Sequence, residues 1–378
     1  MSLTQFAIID STLREGEQFA SAHFSTADKI EIAESLDFLG VEYIEVTSPC
    51  ASPQSRQDCQ ALANRDLSAK LLTHIRCHLD DAKVALDTGV DGINLVIGTS
   101  AMLRQFSHGK SIDQIIDMAA TVLGYIREQA PALELRFSTE DSFRSDRQEL
   151  LKVYGAVEQL GIVQRFGMAD TVGISTPLQV MEMVRDLRRV TQADIEFHCH
   201  NDTGCAIANS YVALEAGATH IDTTIMGIGE RNGITSLAGL IARLYASDPD
   251  GLRDKYRLHQ LIYLHQLVSR KVGVAVPFDH CIVGESAFRH KAGIHTKAVL
   301  KNPATYEAIN PQDFACSRSI AIGHRLTGWH AIAHRAQELG LNLDEAQLRA
   351  STQAIKALAD TQELTLEDVD RVLLQSVH

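Results

Sequence analysis

The chain has 378 residues, of which 45% are hydrophobic and 22% charged, a length and balance suited to a soluble globular protein with one large domain and a smaller one. Its formal net charge of -13 and pI near 5.6 repel polyanions at long range, which excludes nucleic acid and anionic membranes as natural partners and leaves small ligands. Its 7 cysteines lack a CxxC spacing, and no apolar run reaches the roughly 18 residues of a membrane span, so a reducing, cytoplasmic setting is expected rather than export.

From residue 6 onward, short apolar runs alternate with helical patterns. In chain order the runs are FAIID, YIEVTS, KLLTHI, GINLVIG, ELRFSTE, RFGMADT, DIEFHCH and HIDTTIMG. Between the first two, Ser25 and Asp28 have capping-box spacing, Ile32, Leu36 and Leu39 form one stripe, and Gly40 ends the helix. Eight strand–helix units within about 245 residues predict an α/β fold, a (β/α)8 TIM barrel, rather than an open doubly wound sheet. The barrel is expected over residues 1–265. A Gly-, Pro- and His-rich stretch, 266–322, reads as a linker or lid, and 323–378 as a helical subdomain in which Thr365 and Asp368 again fit a capping box.

Active sites of such barrels lie where the C-terminal strand ends meet, and polar residues collect there strand after strand. The first strand ends in Arg14 and Glu15, the second carries Glu45, the third His74 and the fourth Asn94. The fifth supplies Arg136, Ser138 and Glu140, and the sixth Asp170 and Thr171. The seventh, DIEFHCHND, places Glu196, His198 and His200 on one face, because strand side chains alternate. Two imidazoles at i and i+2 can reach one divalent ion, and a carboxylate from another strand can complete a facial set, for which Glu15 is best placed. HxH alone would equally suit two hydrogen-bonded histidines lining a barrel mouth; the neighbouring Arg14, Glu15 and Arg136 favour a metal centre.

Other signals are weaker. GIGERNG (227–233) lacks the spacing of a dinucleotide fingerprint and stays open between a tight turn and a substrate or thioester loop. His295 and Tyr306 read by themselves as surface or packing residues, and His23, His108, His220 and His324 as structural. GxSxG, HExxH and Walker motifs are absent.

The segments DSTLREGEQ, LTHIRCH, RFSTEDSFRSD, ADTVG, EFHCHNDTG, GIGERNGIT and FRHKAGIHTKAV together resemble the metal-dependent Claisen-condensing acyltransferases, the family of isopropylmalate, citramalate and homocitrate synthases. The resemblance covers nearly the whole chain and is strongest to the lysine-pathway homocitrate synthases. It implies a catalytic barrel followed by small C-terminal subdomains, and a divalent metal (Mg, Mn, Co or Zn) on Glu15, His198 and His200. That metal would be chelated by the ketone and C1 carboxylate of a 2-oxo acid, with Arg14 on the ketone oxygen and Thr171 on the carboxylate. His74, Arg136 and Ser138 would hold the distal carboxylate of 2-oxoglutarate. A branched-chain 2-oxo acid would leave that arginine unpaired in a desolvated pocket.

Acetyl-CoA is the implied co-substrate and homocitrate with CoA the products, formed by condensation and thioester hydrolysis. His295 would be the base, assisted by Tyr306 and Glu140, and would come from the partner subunit of an exchanged homodimer. Lysine is implied as an inhibitor, its ammonium met by Glu140 or Glu196, but Asn94 stands where the relatives carry aspartate. Three alternatives stay open: another 2-oxo acid substrate, including one carrying a phosphonate; a metal-dependent aldolase or lyase on the same barrel; and a catalytically dead regulatory barrel.

Overall fold

The computed structural model describes residues 5–377. The chain divides after Val276 into two compact units.

In the first unit, eight parallel strands follow in sequence order around a closed barrel: β1 (Ala7–Leu13), β2 (Tyr43–Val46), β3 (Lys70–Arg76), β4 (Gly92–Gly98), β5 (Glu134–Glu140), β6 (Arg165–Asp170), β7 (Asp194–Cys199) and β8 (His220–Thr223). Pairs from Ala7–His220 to Asp10–Thr223 close β1 on β8. Each strand is one of the eight apolar runs, and helices fill the intervals. Thr26–Leu39 shows why: Ser25 and Asp28 form the expected capping box, and Gly40 ends the helix at φ 105, a conformation that glycine adopts without steric cost.

The strand period sorts side chains into two environments. On β7, Ile195, Phe197 and Cys199 are fully buried, and on β5 Leu135 and Phe137 are likewise. Phe137, Phe166 and Tyr154 meet edge to face. Full burial of each such aliphatic or aromatic side chain contributes about 1.5–3 kcal/mol. The alternate positions hold Arg136, Arg165, Glu45 and Glu196, all buried. The layers of branched apolar residues usual in these barrels are therefore replaced in part by charge.

The expected boundary at 265 falls inside the helix Gln260–Val272, because its buried stripe of Leu261, Leu264, Leu267 and Val268 runs on through it. Residues 277–322 and 323–378 share one compact unit. It contains a two-stranded parallel ladder, β9 (Arg289–His290) with β10 (Ser319–Ile320). Its core is Ile332, Ala336, Leu348, Ile355, Val369 and Leu373, drawn from three helices, the last of which starts with the Thr365–Asp368 capping box.

Candidate active site

Register brings the polar strand ends together. His74 pairs with Asn94 across β3 and β4, Asn94 with Arg136, Ser138 with Gly167, and Gly167 with Glu196. The result is a cavity of about 180 Å³ lined by Arg14, Glu15, His74, Asn94, Ser138, Glu140, Thr171, Glu196, His198 and His200, joined by Asp222, Glu230 and Arg231.

Ligand atoms of Glu15, His198 and His200 lie within 4.8 Å of one another. Each is held from behind. His198 Nδ1 is 2.9 Å from the Asp222 carboxylate on β8, which leaves Nε2 for a ligand. Glu15 accepts the Glu230 backbone N–H at 3.0 Å and Arg14 Nη1 at 2.6 Å. A Cβ on Gly229 would stand 2.8 Å from Glu15 Oε1, so the backbone of GIGERNG can approach Glu15 only as glycine. That loop holds the Glu15 carboxylate through the Glu230 backbone N–H.

A divalent metal fits this site on three counts. His200 Nδ1 is buried with no hydrogen-bond partner. Both imidazoles are held neutral, as ligation requires: burial and then Arg14 lower His198, while burial and then His198 lower His200 to about 4. Third, Arg14, Arg136 and Arg165 are knitted into one ion cluster with Glu15, Glu45, Glu134, Glu196 and Asp222. Lys70 also meets Glu134 at 3.1 Å, so four cations face five carboxylates and one negative charge awaits compensation. The excess shows at Asp222, whose carboxyl burial and then Glu45 push up to about 7.

The cluster also alters the expected part of Arg136. Its guanidinium is fully buried behind Glu196, forking onto both oxygens of that carboxylate and reaching Glu45 Oε1 at 3.1 Å. Burial opposes its charge, but Glu196 and Glu45 outweigh this and raise its pKa. Arg136 does not line the cavity, whereas His74 and Ser138 do. Ser138 Oγ donates to Asn94 Oδ1 at 2.8 Å. It has room because residue 167 is glycine, where a Cβ would fall 2.0 Å from Ser138 Oγ. Burial, then Arg14, lowers His74 to about 4, so it meets a ligand as a neutral imidazole.

Thr171 Oγ1 accepts the N–H of Asp141 at 2.8 Å, and Asp141 is left-handed at φ 57. Glu140 stays open at the rim, yet desolvation by the surrounding walls raises its pKa. The cavity lining comes entirely from the barrel. His295 and Tyr306 belong to the second unit, where both are exposed and their ring centroids lie 4.2 Å apart. Sequence reasoning overlooked Asp222, although HIDTTIMG showed a carboxylate inside the eighth strand. It also overlooked Arg165 and the carboxylate-holding role of Gly229 and Glu230.

Fold and mouth together define a class: a parallel (β/α)8 enzyme barrel with a site built for a divalent metal. Residues 5–268 match the HMGL-like family, and residues 282–363 match the homocitrate synthase post-HMGL domain-like family. The chain is 57% identical to the mitochondrial homocitrate synthase of Schizosaccharomyces pombe over 98% of its own length and 88% of that protein. It is 54% identical to the cytosolic isozyme of Saccharomyces cerevisiae, over 98% and 86% respectively. Among solved structures, an HMG-CoA lyase from Bacillus subtilis superposes with a TM-score of 0.64 at 21% identity, covering 72% of this chain and 96% of that one, a likeness of fold. The chain belongs to the HMGL-like family and, within it, to the homocitrate synthases.

Proposed function

We propose that the barrel mouth condenses acetyl-CoA with 2-oxoglutarate and hydrolyses the resulting thioester, giving homocitrate and CoA for lysine synthesis. The observation that carries this reading is the Arg14–Glu15 pair at 2.6 Å, a fixed cation beside the carboxylate of a metal triad. Negative charge develops on the ketone oxygen when carbon attacks, and preorganised cations stabilise it without reorganisation. A divalent metal held by Glu15, His198 and His200 would supply polarisation of that ketone. Arg14 is itself held by Glu45 at 2.7 Å, so its head does not wander when substrate leaves.

Thr171 takes the C1 carboxylate. His74 and Ser138 take the distal one, while Arg136 stays behind them as the partner that holds Glu196 in the lining. His295, with Tyr306 and Glu140, removes a proton from the acetyl methyl group; the resulting carbon nucleophile bonds to the ketone carbon, and water then displaces CoA. His295 lies in the second unit, which matches the post-HMGL domain of homocitrate synthases; in an exchanged homodimer it would serve its neighbour's barrel. Seven free cysteines support a reducing compartment, the cytoplasm, and no helix among the described residues is long and apolar enough to cross a membrane. CoA release from acetyl-CoA across a panel of 2-oxo acids tests the reading. Turnover with 2-oxoglutarate well above that with 2-oxoisovalerate or pyruvate is expected; a preference for either of those replaces it with an isopropylmalate or citramalate synthase.

A further inference from the structure

A cavity in the second unit is not used by the proposed chemistry. It encloses about 870 Å³, and its lining includes Arg289, Lys291, Arg325, Ile322, Leu326 and Leu364. The chain as a whole carries a formal charge of -13, yet the only acidic residue in this lining is Glu363. The β9–β10 pairing brings the cations to one cavity. Arg289 lies on β9, Lys291 directly follows it, and Arg325 follows the turn through Gly323 that leaves β10.

Their present partners hold them loosely. Arg289 meets Glu285 at 3.4 Å and Arg325 meets Asp360 at 2.8 Å, all four side chains being more than half exposed; exposed pairs of this kind contribute little. Lys291 is exposed. His324 adds no charge: Nε2 is 2.9 Å from the Ala321 carbonyl, Nδ1 accepts the Leu326 N–H at 3.1 Å, and the ring spans two backbone groups. Arginine forks and a lysine point charge suit phosphate oxygens, while Ile322, Leu326 and Leu364 offer apolar surface for a flat ring. That combination of a few charged groups with apolar walls is typical of sites for organic ligands.

We propose that this cleft binds a phosphate-bearing ligand of nucleotide size, with Lys291, Arg289 and Arg325 on its phosphates. Two sources share that chemistry. One is the phosphoadenosine end of the acyl-CoA, in which case the inference rests on the reading given under Proposed function; the other is a free adenine nucleotide acting as an effector.

The experiment uses the full-length, metal-loaded protein, the double variant Lys291→Ala/Arg325→Ala and the milder Lys291→Gln. Binding of adenosine 3′,5′-bisphosphate, ATP and inorganic phosphate is measured by calorimetry at low and moderate salt, and turnover with acetyl-CoA is compared with turnover on acetylpantetheine, which carries no phosphate. At least one nucleotide should bind, with affinity falling tenfold or more in the double variant, less in Lys291→Gln, and with rising salt. A matching rise in KM for acetyl-CoA but not for acetylpantetheine identifies the CoA end. Unchanged KM, with loss of ATP binding and of any ATP effect on rate, identifies the free nucleotide. Nucleotide binding that is absent, or that both variants leave intact, overturns the proposal while turnover persists. Loss of all condensation in the unmodified protein would instead strike the proposed activity.

Discussion

At the scale of single residues, burial and partner count decide what a substitution reports. Arg136 looks from the sequence like a substrate-binding arginine, but its removal would leave Glu196 and Glu45 facing each other in a buried space. Arg136→Ala is therefore expected to destabilise the protein by about 3–5 kcal/mol, as breaking one side of a buried pair does, and chemical denaturation checks this. Ser138→Ala is the cleaner probe of the distal carboxylate. It should raise KM for 2-oxoglutarate roughly tenfold, one lost hydrogen bond to a charged group, with a melting temperature within a few degrees of the parent; an unchanged KM would remove Ser138 from the site. Asn94 bears on inhibition. As an amide it cannot balance the ammonium of lysine as a carboxylate would, so inhibition against 2-oxoglutarate should be weak and Asn94→Asp should tighten it about tenfold. Strong inhibition untouched by that change would assign the whole contact to Glu196 and Glu140.

At the scale of elements, the loop after β8 and the barrel strands behave differently. Gly229→Ala inserts a methyl group 2.8 Å from Glu15 Oε1 and should weaken metal retention tenfold or more, read by metal titration, with little loss of fold. Retention equal to that of the parent would mean that the clamp is dispensable. On the strands, burial and then Arg165 lower His220 on β8 to about 2. A histidine held neutral in the fold but free to protonate near its ordinary pKa of about 6.5 when unfolded lets the unfolded chain bind more protons. Its contribution is thus complete above about pH 6.5 and is lost as pH falls, by up to about 1.4 kcal/mol per unit. Asp10, pushed up to about 7 by burial, acts in the opposite sense, so the readout is a difference. His220→Gln should be relatively more stable against urea at pH 5 than at pH 7, and a constant gap would contradict the assignment.

The two kinds of element also explain what was legible in the sequence. Strands and helices announce themselves by periods of 2 and 3.6 and by local caps, and all eight barrel strands fall on the apolar runs. The grouping of Glu15 with His198 and His200 was legible in part because HxH puts both imidazoles on one side of the chain where β7 ends. The clamp was not, since Gly229 and Glu15 lie at opposite ends of the barrel sequence and only closure of β1 on β8 joins them. The fork from Arg136 to Glu196 was hidden for the same reason: it crosses from β5 to β7, and both residues carried an equally good reading as ligand contacts.

At the scale of the whole molecule, the reaction is assigned to two units that each fold around their own core. His295→Ala should preserve affinity for 2-oxoglutarate while turnover falls about 10²-fold or more, the mark of a group that acts on the transition state. In an exchanged dimer, mixing His295→Ala with His200→Ala under conditions that reshuffle subunits should restore part of the activity, because half of the sites in each mixed dimer would be intact. Mixtures no more active than their parts would place base and metal in the same subunit.

The surplus negative charge in the barrel cluster has a thermochemical consequence. Without a dication, Asp222 near pH 7 shares its carboxylate with a proton; a metal on His198, the neighbour of Asp222, would drive that proton out. Metal uptake should therefore acidify an unbuffered solution. The calorimetric enthalpy should depend on the ionisation heat of the buffer, with close to one proton released at pH 6 and progressively fewer above pH 8. The imidazoles, already neutral, would add nothing to this count, so a release well above one proton would mean that the charge is balanced elsewhere in the cluster.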